Sequence, residues 1–360
     1  MRPELVIAER EFREHFTSKR FLIIFGILVL LMIFSLWVGI DTYNQQLRDY
    51  KTAMSSSKGN SLVQLSLSML PLPSVLQVFQ SMVPLFTLTG MMLGISLGFD
   101  AISREKDKGS IKFLVSSPIY RDAIINGKVL GAFITLAGAM GAVFLVAVAV
   151  MLFKNIVPGV DDMLRIACFF LAALLYCMVF FAISMMMSTL TKDTTTSIIC
   201  SVWLALLLIV FSYMSIQIGT AIAGIIYGPA PSEDSMLTGI SNAMNGSLTG
   251  TGSYLNDYMG YISKEYRISD DLNMISPYGS FGGTMGMGTG GIGSTLVSRT
   301  PTDISSMLSS TSPLTGGVSK TNFSLPDSIS YVKVQLIALI VELIAAFGIS
   351  YVAFMRTDIR

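Results

Sequence analysis

The sequence predicts an all-α integral membrane protein. It has six transmembrane helices, an N-terminal interfacial amphipathic helix and a large extracytoplasmic segment between spans five and six. Three observations carry this. Of 360 residues, 52% are hydrophobic and only 13% charged, where a soluble domain carries about 25% charged residues. Mean hydropathy is positive, at +0.65. Apolar runs long enough for a hydrocarbon core, which takes roughly 20 residues per helix, recur along the chain. Such a composition excludes a disordered chain, a nucleic-acid binder and an ordinary cytosolic enzyme. The 24 basic and 23 acidic residues nearly cancel, so net charge points to no polyanionic partner and only its distribution is informative.

Residues 1–20 come first. Leu5, Ala8, Phe12 and Phe16 recur at helical spacing, with Glu4, Glu9, Arg10, Arg13 and Glu14 on the other faces. That pattern suits a helix lying in the membrane interface; a solvated cytoplasmic helix is the plainer alternative. His15, the single histidine, is expected at its polar edge. Residues 21–40, FLIIFGILVLLMIFSLWVGI, carry no charge. Their apolar core is too long for a signal peptide, and no small-residue cleavage site follows, so they read as an uncleaved span. The next spans fall at about 75–99, 129–153, 163–190 and 197–226, which closes a membrane unit over 21–226. The sixth, about 331–355, lies in a C-terminal unit of 330–360 with a short cytoplasmic tail.

Pro84 is expected to kink the second span, because it removes one backbone donor. Gly90, Gly94 and Gly98 form a small-xxx-small series, which Gly127 and Gly131 repeat once. This spacing lets helix backbones approach closely. Packing within one subunit is the ordinary use, and a dimer seam the more specific one.

Basic residues set the expected orientation. The tail 1–20 holds five and the loop 100–128 holds six, whereas the 103 residues of 227–329 hold four. The positive-inside rule therefore puts both termini in the cytoplasm of a multi-pass cell-membrane protein, with 41–74 and 227–329 outside. The outer segment 227–329 contains 16 Gly, 19 Ser and 11 Thr and no cysteine. Its stretch 279–293, GSFGGTMGMGTGGIG, is expected to be flexible. Tyr254, Tyr258, Ile262 and Tyr266 suggest a short amphipathic helix. Asn245 and Asn322 begin glycosylation sequons, for which chance is an equal explanation.

Catalytic motifs are missing or out of context. A G-x-G-x-x-G match at Gly286, Gly288 and Gly291 sits in a glycine run with no strand before it. No phosphate-binding P-loop exists. One histidine excludes His-pair metal sites and the usual triads. Cys168, Cys177 and Cys200 all lie in apolar runs, which argues against disulfides and thiolate clusters. The chain is thus read as no enzyme, with no cofactor of its own. Glu342 stands near the middle of the sixth run. A charge there costs about 2.5 kcal/mol or more on insertion scales, so the side chain is expected to face protein or a water cavity. It is a transport-path candidate together with Gln217. The structural alternative is a protonated Glu342 bonded to a neighbouring helix, through Gln217 or a hydroxyl.

The most informative stretch is 100–133, DAISREKDKGSIKFLVSSPIYRDAIINGKVLGAF. It combines a charged turn, an apolar face of Ile111, Leu114 and Val115, and a break at Pro118. Such a face suits docking into a groove on a soluble partner; an ordinary basic loop is the alternative. The run Arg104-Glu105-Lys106, Gly109-Ser110, Ser116-Ser117-Pro118 and Gly127-Lys128 resembles the signature of the type-2 ABC exporter permeases. The N-terminal stretch EREFREHFTSKRFLI is similar to that family's elbow helix, and the end MRTDIR to its charged terminus. Ile275-Ser276-Pro277 and Phe281 resemble a short motif between its last two spans.

The resemblance implies a permease subunit of an exporter that pairs with a second permease copy or paralogue and with two ABC ATPase subunits, which hold the ATP and magnesium. It also implies ATPase coupling through the loop after the second span, with Arg104, Glu105, Lys106, Gly109, Ser110, Ile111, Leu114 and Pro118 as the residues that carry it. Membrane lipid is the remaining partner, and nucleic acid is none. Two other readings stay open: a membrane assembly or signalling protein whose outer segment recruits a partner without moving solute, and an ion-coupled transporter built on Glu342, which usually shows an internal repeat that this sequence lacks.

Overall fold

The computed structural model describes residues 3–56, 77–107, 121–228, 260–261, 264–265, 267–285 and 325–356. Gly109, Ser110, Ile111, Leu114 and Pro118 lie outside them, as do Asn245, Asn322, the glycine motif at 286–291 and the tyrosine series apart from isolated neighbours. The described residues form helices and turns, with no strand among them. Among the described residues, six helices are long and apolar enough to cross a membrane: Lys19–Thr52, Val83–Asp107, Asp122–Phe153, Asp162–Leu190, Thr194–Tyr227 and Val332–Arg356.

Helix α1 (Pro3–Thr17) leads into α2 (Lys19–Ser56). At 1.5 Å per residue α2 is about 57 Å long, well beyond a hydrocarbon core of about 30 Å. Its apolar run ends at Ile40, yet 41–56 stays helical where a loop was expected, because that stretch has neither Gly nor Pro to stop it. A short α3 (Gln77–Gln80) and a turn precede α4 (Val83–Gly98). Pro84 therefore sits in the first turn of α4, where its missing N–H costs nothing. The expected kink inside a 75–99 span is replaced by a break before the helix. Ser35 and Ser81 close that break on α2: Ser35 Oγ donates to the Ser81 carbonyl at 2.7 Å, and Ser81 Oγ to that of Ser35 at 3.1 Å.

After α4 come the five-residue α5 (Ser103–Asp107), then α6 (Arg121–Phe153), α7 (Val160–Leu190), α8 (Thr194–Tyr227), a short α9 (Pro277–Met285) and α10 (Leu325–Arg356). The core forms around α4 and α7. In each, 72% of the most apolar stretch is buried, against 22% in α8 and 17% in α10. The outer helices leave Trp203, Leu207, Ile337 and Ile344 exposed, as a lipid-facing surface requires. The glycine series explains why α4 and α7 lie so close. A Cβ built on Gly94 would stand 2.5 Å from the Cys177 carbonyl, and one on Gly98 2.5 Å from that of Phe181. Gly127 and Gly131 serve α1 instead, since their Cβ atoms would meet Ile7 at 2.8 Å and Glu11 at 2.7 Å. Both glycine series thus pack helices of the same chain.

Helix α9 departs from the expected flexible stretch over 279–285. Phe281 is fully buried, in an aromatic cluster with Phe86 at 5.6 Å, Tyr176 at 4.6 Å and Phe169 at 6.5 Å. Phe169 and Tyr176 lie about 14 and 24 Å along α7 from its Val160 end, at 1.5 Å per residue. The segment therefore re-enters the bundle. Its glycines are there for space: a Cβ on Gly283 would stand 3.1 Å from Gln335 of α10. Hydrogen bonds hold it to α8, where Ser276 Oγ donates to the Leu208 carbonyl at 2.9 Å, Ser212 Oγ bonds Asn273, and the Tyr213 and Tyr278 hydroxyls meet at 3.0 Å.

Candidate functional site

The opposite end of the bundle gathers α1, the start of α2, α5, the start of α6 and the α7–α8 turn. The Tyr351 hydroxyl beside Asp122 brings the end of α10 there too. A cavity of about 390 Å³ opens between α1, the start of α2, the end of α4, α5 and the start of α6. Its lining includes Glu11, Glu14, His15, Arg20, Asp100, Arg104, Glu105 and Lys128.

Each charged residue of α5 reaches a different helix. Arg104 Nη1 donates to Glu14 Oε1 of α1. Glu105 Oε1 stands 2.9 Å from Lys128 Nζ of α6. Lys106 Nζ donates to the carbonyls of Thr189 and Thr191, at 2.5 and 3.0 Å, at the end of α7. Asp107 accepts from the Thr194 N–H at 2.9 Å and from the Thr194 hydroxyl, at the start of α8. Below them, Ser188 Oγ accepts the N–H groups of Ile102 and Ser103 at 3.0 and 2.8 Å, and Ser197 Oγ donates to the Phe99 carbonyl at 2.7 Å. These bonds satisfy a carbonyl left open at the end of α4 and N–H groups left open at the start of α5.

The pairs differ in weight. Arg104 and Glu14 are 47% and 41% exposed, and an exposed pair contributes about 0–1 kcal/mol. Lys128 is 7% exposed and also donates to Glu11 Oε1 at 2.7 Å. Two carboxylates around one buried ammonium make a unit that depends on Lys128, since removing the ammonium leaves two carboxylates uncompensated. His15 Nε2 lies 3.6 Å from Glu11 Oε2. Burial draws the imidazole below its usual value, against the opposing pull of Glu11 and Asp100. Its side chain faces the cavity with Arg10, Glu11 and Glu14, on the polar side of α1, while Leu5 and Phe16 are exposed.

The structure thus brings Arg104, Glu105 and Lys106 together and turns them toward neighbouring helices. Glu11, Glu14 and Asp107 were not singled out from the sequence as their counterparts. The i, i+4 pair Glu11–His15 beside Ala8 is the signal that marks this face of α1. Glu342 and Gln217 are not brought together. Both Glu342 carboxylate oxygens are buried without a hydrogen-bond partner, and Gln217 is exposed on α8. Arg165 of α7, 1% exposed, is a buried cation that sequence reading passed over because it stands near the end of its apolar run. Among the described residues, no group of three or more His, Cys, Asp or Glu side chains is placed to hold a metal ion.

The family described as ABC-2 family transporter protein matches residues 5–359 of the chain. The chain belongs to the ABC-2 transporter family. The match runs through the charged α5, the re-entrant α9 and the last span alike. Membership makes the chain a membrane-embedded, permease-like protein of a non-catalytic class that in general works with a separate ATPase subunit. A search of curated proteins finds no match to the sequence.

Proposed function

We propose that this ABC-2 family member is the permease subunit of an ATP-driven exporter. In this reading the end of the bundle that carries α1 and α5 faces the cytoplasm, and two ATPase subunits dock on the loop that follows α5. A second permease copy or paralogue completes the transporter. Family membership over nearly the full chain is the observation that supports it. The concentration of basic residues in 1–20 and 100–128 supports the orientation. Since Arg104, Glu105 and Lys106 are engaged within the chain, they hold the base of the loop, and Ile111 and Leu114 supply its adhesive face. Glu342 and Gln217 are the proposed contacts for the transported solute; unchanged transport by Glu342→Gln would remove the first of them.

Co-purification with the ATPase tests the assignment. A buried leucine-sized group contributes about 1.5–3 kcal/mol, so Leu114→Asp is expected to lose the ATPase while the protein still inserts. Lys112→Ala should retain it. Full retention with Leu114→Asp at normal expression would remove this loop as the docking site. ATPase binding without any solute-stimulated hydrolysis would favour the assembly or signalling reading.

A further inference from the structure

Lys106 and Asp107 are adjacent in sequence and opposite in charge, and they meet the two ends of one short turn. Helix α7 ends at Leu190 and α8 begins at Thr194. The last carbonyls of a helix carry partial negative charge and its first N–H groups partial positive charge. Lys106 Nζ lies on the carbonyls of Thr189 and Thr191, and Asp107 Oδ2 on the N–H of Thr194. Cation meets the C-terminus and anion meets the N-terminus. Exchanging the two charges would oppose both dipoles. Helix α8 offers no side chain of its own, since the Asp193 N-cap makes no side-chain capping bond, and the Thr189 and Thr191 hydroxyls of the α7 end turn back to the Met186 and Met187 carbonyls. The turn is therefore capped from α5, which lies more than 80 residues away in the chain.

We propose that Lys106 and Asp107 are positioning residues that fasten α5 to the α7–α8 turn, so that the two move as one block. This rests on the ATPase-docking reading for its purpose, though the fastening itself does not. Force applied to α5 then reaches α7, the central helix of the bundle, through polar contacts. Lys192 and Asp193, both exposed in the turn, are carried along with α5.

The experiment uses the full chain in lipid with its ATPase. Nitroxide labels at exposed positions 104 and 192 read the distance between α5 and the turn in a background without Cys168, Cys177 and Cys200. The unsubstituted pair at 106 and 107 should give one narrow distribution. The exchanged variant Lys106→Asp with Asp107→Lys should lose it. Lys106→Gln and Asp107→Asn serve as milder variants should the exchange not fold, and each should broaden the distribution. Lys106→Arg should keep it narrow, which a merely steric role for the side chain would not predict. In the complex, the exchanged variant should retain the ATPase and lose the coupling of hydrolysis to the permease. A broad distribution with both residues intact, or a narrow one in the exchanged variant, overturns the fastening. Failure of the ATPase to co-purify with the unsubstituted chain would sink the docking reading alone, because the label distances stand without it.

Discussion

At the scale of the residue, Lys128 is the most exposed to loss. It is nearly buried and serves both Glu11 and Glu105. Lys128→Met keeps the length of the side chain and leaves two carboxylates facing each other without a cation. Breaking a buried pair from one side costs about 3–5 kcal/mol, so thermal unfolding in detergent should shift down markedly. Adding Glu11→Gln and Glu105→Gln to that variant should recover much of the loss. If the single variant unfolds like the wild type, the cluster is solvated and its pairs add little to stability. His15 predicts a pH effect. Its burial holds the folded-state value below the usual 6.5. As pH falls below that value the unfolded chain binds the proton first, and stability rises with pH wherever the unfolded state binds more protons. Stability should therefore drop on acidification from about pH 6.5, the ordinary histidine value, down to the folded-state value. His15→Gln should flatten that part of the profile measured by thermal unfolding.

At the scale of the element, the α4–α7 contact is set by glycine rather than by large side chains. Gly94 faces the Cys177 carbonyl, which is backbone and cannot turn aside. Overpacking a close contact costs typically about 1–3 kcal/mol, so Gly94→Leu should lower the unfolding midpoint and reduce the folded yield. Gly138 of α6 is the contrast, because nothing lies within 4 Å of a Cβ built there. A mid-helix glycine is less stable than alanine by roughly 0.5–1 kcal/mol, and Gly138→Ala should be neutral or slightly stabilising. Equal effects at both positions would mean that helix propensity, not the approach of the two backbones, sets the response. The glycine pattern was legible in the sequence. Which helix each glycine served was not, because a small-xxx-small series says that something comes close without saying what.

At the scale of the whole molecule, the two ends of the bundle are built differently. The α1 end is held by charges and by hydroxyls on carbonyls; the α9 end is held by an aromatic cluster and hydrogen bonds to α8. The re-entrant α9 makes a labelling prediction. In a chain without Cys168, Cys177 and Cys200, a cysteine at fully buried Ser280 should resist a water-soluble thiol reagent. A cysteine at exposed Lys264 should react. Rapid reaction at 280 would place α9 outside the bundle. Composition misread this segment for a physical reason. Glycine density signals flexibility where nothing surrounds the chain, yet the same residues allow close packing where helices do, and composition does not distinguish the two settings.

The sequence by itself determined the all-α membrane class, the number of spans and the family, because hydrophobic length and a short charged motif are local properties of the chain. It also marked Arg104, Glu105 and Lys106 as residues that matter. Only the tertiary structure decided what they touch. Glu14, Lys128 and the α7–α8 turn lie about 20 to 90 positions away in the chain, and a charge pattern carries no record of partners at that separation. The same holds for Phe281, whose place against Tyr176 follows from a chain reversal that no local signal announces. Electrostatic attraction and aromatic packing act through space, and their geometry exists only once the helices have been brought together.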